Sequence, residues 1–382
     1  MNRRLLLGSG LGALALLAGG GAAWLLSLPP TPAGAAAPPI PEDETAAMLA
    51  ALKPPKRARP LIAIIGINDA TETTDYVMPY GILRRADVAN VVTLSTQPGP
   101  MILYPALKVA PQATTAEFDA RHPEGADYVI VPAMSRDDDP AVLQWLRAQA
   151  AKGAVVAGIC VGVMVVAASG LLDGKRGTTH WYYLDKLRKK HPAVRYVPDR
   201  RMVVDRGVAT TTGISASMPF SLTLIEAIAG RAKAETVAAD LGLAHWDALH
   251  DSSAFRFTRP FALTAIRNTL AFWNREQLGL ALTPGVDEVA LALVADAWSR
   301  TGRSRAVTFA DTPDARASRN GLRLLPEQLG HSVPPAQRLP DLGRTPPAAA
   351  LDQALQAIAA RYGQDTARFV AMQLEYPVAS TT

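Results

Sequence analysis

The chain has 382 residues, 49% of them hydrophobic, which bounds it to a globular protein with a large core and length enough for two or three domains. Its net charge of +5 is too small to single out nucleic acid as a partner. One cysteine, Cys160, excludes an internal disulfide and leaves a thiol that is buried, reactive or paired between chains.

At the N-terminus, Arg3 and Arg4 precede an uncharged run from Leu5 to Leu28, followed by small residues and proline. As a helix that run would span roughly 36 Å, so residues 1–28 read as a signal peptide or an uncleaved membrane anchor. Either outcome places the remainder in the periplasm or another extracytoplasmic space, with the inner membrane as a partner through this segment. Gly8, Gly10 and Gly12 imitate a dinucleotide fingerprint, but no strand precedes them. Residues 29–59 read as a tether with one short helix, TAAMLAALK, and Lys53, Lys56, Arg57 and Arg59 as solvated charges.

The folded body starts near Pro60. Buried strands LIAIIG, NVVTLS, DYVIVPA and AVVAGI alternate with helical DYVMPYGILRRA and DPAVLQWLRAQAAKG, and PMILYPALKVA reads as an extended hairpin. The alternation predicts an α/β domain, a parallel sheet covered by helices on both faces. Ligand sites in such sheets lie at the carboxyl ends of strands, and Cys160 falls there, between AVVAGI and the helix-compatible VGVMVVAASGLL. A helix start beside it would offer N–H groups to developing negative charge and lower the thiol's pKa. The alternative is a buried core thiol.

The stretch GICVGVMVVAASGLLDGKRGTTHW, with His180 following Cys160, resembles the cysteine elbow of the ThiJ/PfpI branch of the class I glutamine amidotransferase-like superfamily. The resemblance covers residues 60–231 and implies a flavodoxin-like parallel sheet sandwiched by helices. It also assigns roles: Cys160 stands where the nucleophile does, Asp75 in DYVMP where the acid partner that hydrogen-bonds the sulfur does, and His180 where a nearby histidine does. Val161 would supply a backbone N–H to an oxyanion. Asp75 could equally cap its helix, and His180 could be a structural imidazole.

The chain departs from the family at Val161, which replaces a hydroxyl or histidine, and at Ala133 and Met134, which replace two glycines. Peptidase-like or amidotransferase-like acyl chemistry is therefore disfavoured. A helix-turn-helix branch of the family shares TTHW, but no recognition segment follows residue 231. The expected activity is cofactor-free and metal-free hydration or hydrolysis of a small electrophile. The alternatives are a ligand-binding or redox-sensing module without turnover, and a relative of the regulator-associated domains lacking the DNA-binding part. A small molecule is the expected ligand, nucleic acid is not, and a homodimer is compatible with the reading.

Residues 232–382 follow without a linker. LGLALTPGVDEVALALVADAWSRTGRSRAVTFAD repeats the order strand, acid-opened helix, strand, and AIAARYGQDTARFVA echoes AIAGRAKAETVA. This predicts a degenerate second α/β copy, too short to bury its own sheet and therefore packed on the first domain. Thr312–Asn320 and PPAQRLPDLGRTPP read as surface loops. His245 and His250 are spaced poorly for a metal and read as surface or rim residues.

Overall fold

The structure, a computed structural model, describes residues 21–32 and 37–377. Most of residues 1–28, expected as a signal peptide or anchor, lies outside the described residues, Arg3, Arg4 and the glycine triplet included. Among those described, no helix is long and apolar enough to cross a membrane.

Helix α1 covers residues 21–27. Helix α2 (Glu42–Ala51) lies where the tether was expected, and this segment is fastened to the body. Leu52 is fully buried, with its carbonyl accepting from the Tyr128 hydroxyl at 2.7 Å. Arg57 pairs with buried Asp127 at 2.7 Å, and Lys56 and Arg59 donate to carbonyls of the body, so these cations are anchors and not a solvated face.

The body follows in the order β1 (Leu61–Gly66), β2 (Asp69–Glu72), α3 (Thr73–Ala86), β3 (Asn90–Ser95), β4 (Met101–Tyr104), β5 (Lys108–Ala110), β6 (Ala113–Thr114), α4 (Thr115–Arg121) and β7 (Tyr128–Val131). Next come α5 (Pro140–Ala151), β8 (Val155–Gly158), α6 (Gly162–Ala168), β9 (Arg176–Gly177), α7 (Leu184–Lys190), β10 (Arg195–Tyr196), β11 (Met202–Asp205), β12 (Val208–Thr211), α8 (Ser217–Ala229) and α9 (Arg231–Leu241). A seven-stranded sheet runs β11-β12-β8-β7-β1-β3-β6, parallel except where edge strand β11 pairs antiparallel with β12. Ile62 and Ile64 of β1 face α3 and α8, while Ala63 and Ile65 face α5 and α6, as the unbroken apolar run required. The α/β, flavodoxin-like layering is thus as expected.

The C-terminal half adds α10 (Arg259–Leu270), β13 (Glu276–Ala281), α11 (Glu288–Ser299), β14 (Ser304–Ala310), β15 (Arg316–Ala317), β16 (Arg323–Leu325), β17 (Gln328–Leu329), α12 (Pro347–Tyr362) and α13 (Gln364–Leu374). Here β13-β14-β17 repeats β1-β3-β6. Leu94↔Ala113 and Ser95↔Thr114 in the first sheet match Phe309↔Gln328 and Ala310↔Leu329 in the second. Hairpin β4-β5 matches β15-β16, and β5 pairs antiparallel with β16 so that Val109 faces its own counterpart, Leu324. That pairing is what a local two-fold axis demands. It also corrects the loop expected over 312–320, whose second part enters a strand and whose Arg319 and Asn320 bond to Asp287 and Glu288.

Helices α3 and α11 cross the same axis, and each is capped by a carboxylate that the other helix's terminal arginine holds: Glu72 with Arg300, Asp287 with Arg85, both at 2.9 Å. The helix pairs α8–α9 and α12–α13 correspond through Gly230 and Gly363, at φ of 88° and 91°, which shifts by one helical turn the alignment that the AIA motifs suggest. Residue 231 is the first of α9, so the sequence-derived boundary cuts a helix pair.

Candidate functional site

Cys160 follows β8 at a φ of 55°, a left-handed conformation that costs a non-glycine residue about 1 kcal/mol and persists only where its surroundings enforce it. The enforcement is visible. A Cβ on Gly162 would sit 2.0 Å from the Val131 carbonyl oxygen, so the turn can pass under β7 only with glycine there. The Cys160 N–H donates to Thr211 Oγ1 at 3.0 Å, and its carbonyl accepts from Thr179 Oγ1 at 3.1 Å. The elbow is therefore fixed on both sides, while the adjacent Val161 N–H makes no hydrogen bond among the described residues.

The thiol itself is only 3% exposed. Burial pushes its pKa well up, and the charges of Asp75 and Glu72 push it further, with Arg300 opposing. This reverses the lowered pKa and open exposure expected from the helix start. Helix α6 is too short and the pocket floor too apolar and too acidic for the N–H groups to prevail.

Asp75 does not cap α3. Glu72 does, accepting from the Asp75 N–H and from Thr74 Oγ1. Asp75 is completely buried; its Oδ2 accepts from the Ala133 N–H at 3.0 Å, and its Oδ1 has no partner among the described residues. The expected hydrogen bond from the acid to the sulfur is thus absent at rest. Three buried carboxylates, Glu72, Asp75 and Asp296, share one guanidinium, Arg300. Full ionisation would leave uncompensated negative charge in low dielectric, so a proton stays on the member without a cation. That member is Asp75, whose pKa burial and Glu72 raise well above the carboxylate range. Burial works against the charge on Arg300, but Asp296 and Glu72 outweigh it and keep the guanidinium protonated.

His180 lines the same pocket as Cys160. Its Nδ1 accepts from the Tyr182 N–H at 3.2 Å, which leaves Nε2–H to donate to the Gln373 carbonyl at 3.0 Å. Burial lowers its pKa, so the ring is neutral and tied to backbone at both nitrogens. Trp181 Nε1 donates to the Met372 carbonyl at 2.8 Å. The TTHW motif therefore docks onto carbonyls in the last turn of α13, and the second half supplies one wall of the site. His250, expected at the surface, is buried and donates to Glu375 Oε1 at 3.0 Å, and Glu375 also accepts from the Gly213 N–H.

The resulting pocket encloses about 670 Å³ between Cys160, Val161, Glu72, Arg300, Tyr183 and an aromatic mouth of Trp181, Phe257, Phe261 and Phe369. Burial and the nearby thiol keep the Tyr183 hydroxyl protonated. Sequence reasoning missed Glu72, Arg300 and the aromatic wall. Arg300 carried a signal, since it occupies the place of Arg85 in the repeat; nothing marked Phe261 or Phe369.

Residues 62–227 match the model of the DJ-1/PfpI family. Isonitrile hydratase of Pseudomonas putida is 40% identical over 101 residues, 26% of this chain and 42% of that protein. The HTH-type transcriptional regulator CdhR of Pseudomonas aeruginosa is 37% identical over 86 residues, 22% of this chain and 25% of the regulator. This chain thus spans less than half the length of both relatives. The Parkinson disease protein 7 homolog of Danio rerio is 26% identical over 188 residues, 47% of this chain and 95% of that protein. Among solved structures, DJ-1beta of Drosophila melanogaster superposes with a TM-score of 0.44 at 23% identity, covering 49% of this chain and all of the other.

Proposed function

Because the chain carries a DJ-1/PfpI family domain over residues 62–227, we propose that it uses Cys160 to hydrate a small electrophile, an isonitrile-like or carbonyl-like carbon, with Asp75 as its proton shuttle and without a cofactor. The observation that carries this reading is the buried carboxyl of Asp75, its Oδ1 without a partner among the described residues and its pKa raised by burial and Glu72, near a thiol held at a strained elbow on a pocket. For an isonitrile the balance is simple. Sulfur bonds to the terminal carbon, Asp75 delivers a proton to that carbon and recovers the thiol's own, and a thioimidate results. Water then adds to the carbon, the C–S bond breaks, sulfur regains its proton, and a formamide leaves. Arg300 pairs with Glu72, so that Asp75 is the carboxyl left without a cation to carry the mobile proton, and the Val161 N–H faces charge developing in the second step. His180, neutral and bound to backbone, orients the wall.

The likeness to isonitrile hydratase supports this choice of substrate class. The test is product formation: purified chain with a panel of alkyl and aryl isocyanides should release formamides, and Cys160→Ser should release none. Equal turnover by the variant would sink the reading.

A redox-sensing role is the second reading. It draws support from the departures at Val161, Ala133 and Met134, which remove donors that turnover would use. We further take residues 232–382 as a degenerate second copy that completes the site, and an extracytoplasmic location as part of the proposal, resting on the sequence of residues 1–28 alone.

A further inference from the structure

Helix α10 has two apolar faces with different fates. Phe261 and Ala265 turn inward and line the Cys160 pocket. On the other side Leu263, Ile266 and Leu270, spaced three and four apart, stand in solvent, and the stripe continues into Phe272 and Trp273, which are 64% and 70% exposed. Large exposed hydrophobics are few elsewhere, so this is a patch and not scatter. Its borders carry Arg256 and Arg275, which form no ion pair among the described residues, and Arg267, which pairs with Asp365 at 3.5 Å, while α10 itself contains no acid.

The chain itself indicates what covers this face. Arg259, the first residue of α10, binds the carbonyls of Leu25, Leu26 and Leu28 at 3.1, 2.7 and 3.2 Å, and its N–H donates to the Pro29 carbonyl at 2.9 Å. Trp24 meets Phe257 at a ring distance of 6.2 Å. The uncharged run that begins at Leu5 therefore ends against the start of α10, next to the exposed stripe. An amphipathic helix with aromatic residues at its edge and arginines around it suits a phospholipid surface.

We propose that the face formed by α10 and Phe272–Trp273 lies on a bilayer containing anionic phospholipid, with the mouth of the Cys160 pocket opening at the lipid boundary, and that the substrate is a lipophilic electrophile entering from that side. The docking rests on the exposed face and on Arg259. The substrate class rests in addition on the cysteine chemistry proposed above.

The experiment uses the full chain reconstituted into phosphatidylethanolamine and phosphatidylglycerol vesicles with brominated acyl chains, reading Trp273 emission as the difference between wild type and Trp273→Phe. Bromine should quench that emission at least twofold while acrylamide leaves it unchanged. In Leu263→Ser/Leu270→Ser, still floating with the vesicles, the pattern should reverse. Quenching of vesicle-bound wild type by acrylamide alone would overturn docking. Quenching by neither agent would also overturn it, since a second copy or another part of this chain would then cover the face. The substrate clause has its own readout. A long-chain iodoacetamide should alkylate Cys160 several-fold faster than iodoacetamide in vesicles, and equal rates would overturn it. Failure of both reagents to alkylate would count against the cysteine reading and leave the Trp273 result standing.

Discussion

Arg300, the residue after the end of α11, holds Glu72, the cap of α3, at 2.9 Å, so a residue of the C-terminal half sets the charge of the site in the N-terminal one. The symmetry-related pair Arg85–Asp287 has the same length but does not line the Cys160 pocket. One of two equivalent bridges therefore faces chemistry and the other faces only structure.

That asymmetry yields a paired prediction. Arg300→Met should cost about 3 kcal/mol, because it leaves Glu72 and Asp296 without a cation, and Arg85→Met should cost less, because Arg319 still pairs with Asp287 at 3.3 Å. Only Arg300→Met should push the Cys160 thiol higher, since Arg300 is the cation that opposes its rise. Alkylation of the single cysteine by iodoacetamide against pH reads this directly. A shift in both variants, or in neither, would contradict the assignment.

Asp75→Asn tests the stored proton. A carboxyl whose folded pKa is raised stabilises the fold below the ordinary carboxylate range, and that contribution is lost as pH rises through the folded value. Wild type should therefore lose stability relative to Asp75→Asn between pH 4.5 and 8, as urea unfolding at both values would show. The same variant should turn over substrate about 100-fold more slowly. Parallel stability profiles would mean that Asp75 is ionised in the fold.

The elbow makes a steric prediction. Gly162→Ala should cost at least about 3 kcal/mol, because its Cβ collides with a backbone oxygen that cannot move without β7. Gly174→Ala, at a φ of 66° with open space around it, should cost only about 1 kcal/mol. Thermal melts of the two would rank them. Equal losses would mean that the elbow relaxes freely.

Fragment 60–231 should be insoluble or molten. It ends at the first residue of α9, removing buried Val237 and Leu241, and it uncovers α3 where α11 lies against it. A soluble fragment with a cooperative melt would show that the first domain does not depend on the second half.

Much of this was legible in the sequence. The apolar runs of β1, β7 and β8 specified a sheet buried on both faces, and the place of Cys160 between AVVAGI and VGVMVVAASGLL, with the family resemblance, specified the elbow. The thiol's pKa was misjudged because sequence shows a helix start but not the carboxylates that converge on it from α3 and, through Asp296, from α11. Asp75 and Glu72 could not be told apart as cap and acid without the backbone, since both lie in TETTD. The repeat was visible as a pattern, but its consequence, Arg300 inside the site, needed the two-fold crossing of α3 and α11. Phe261 and Phe369 reach the pocket only through tertiary packing, which leaves no local trace.

The central claim is that Cys160 forms a carbon–sulfur bond with substrate in this pocket. Intact-mass spectrometry of the full chain, quenched in acid within the first turnover of an aryl isocyanide, measures it most directly. The account predicts a single adduct of substrate mass on Cys160 in wild type, forming more slowly in Asp75→Asn and absent in Cys160→Ser. Turnover with an unmodified thiol throughout, or the same adduct mass in Cys160→Ser, would contradict it.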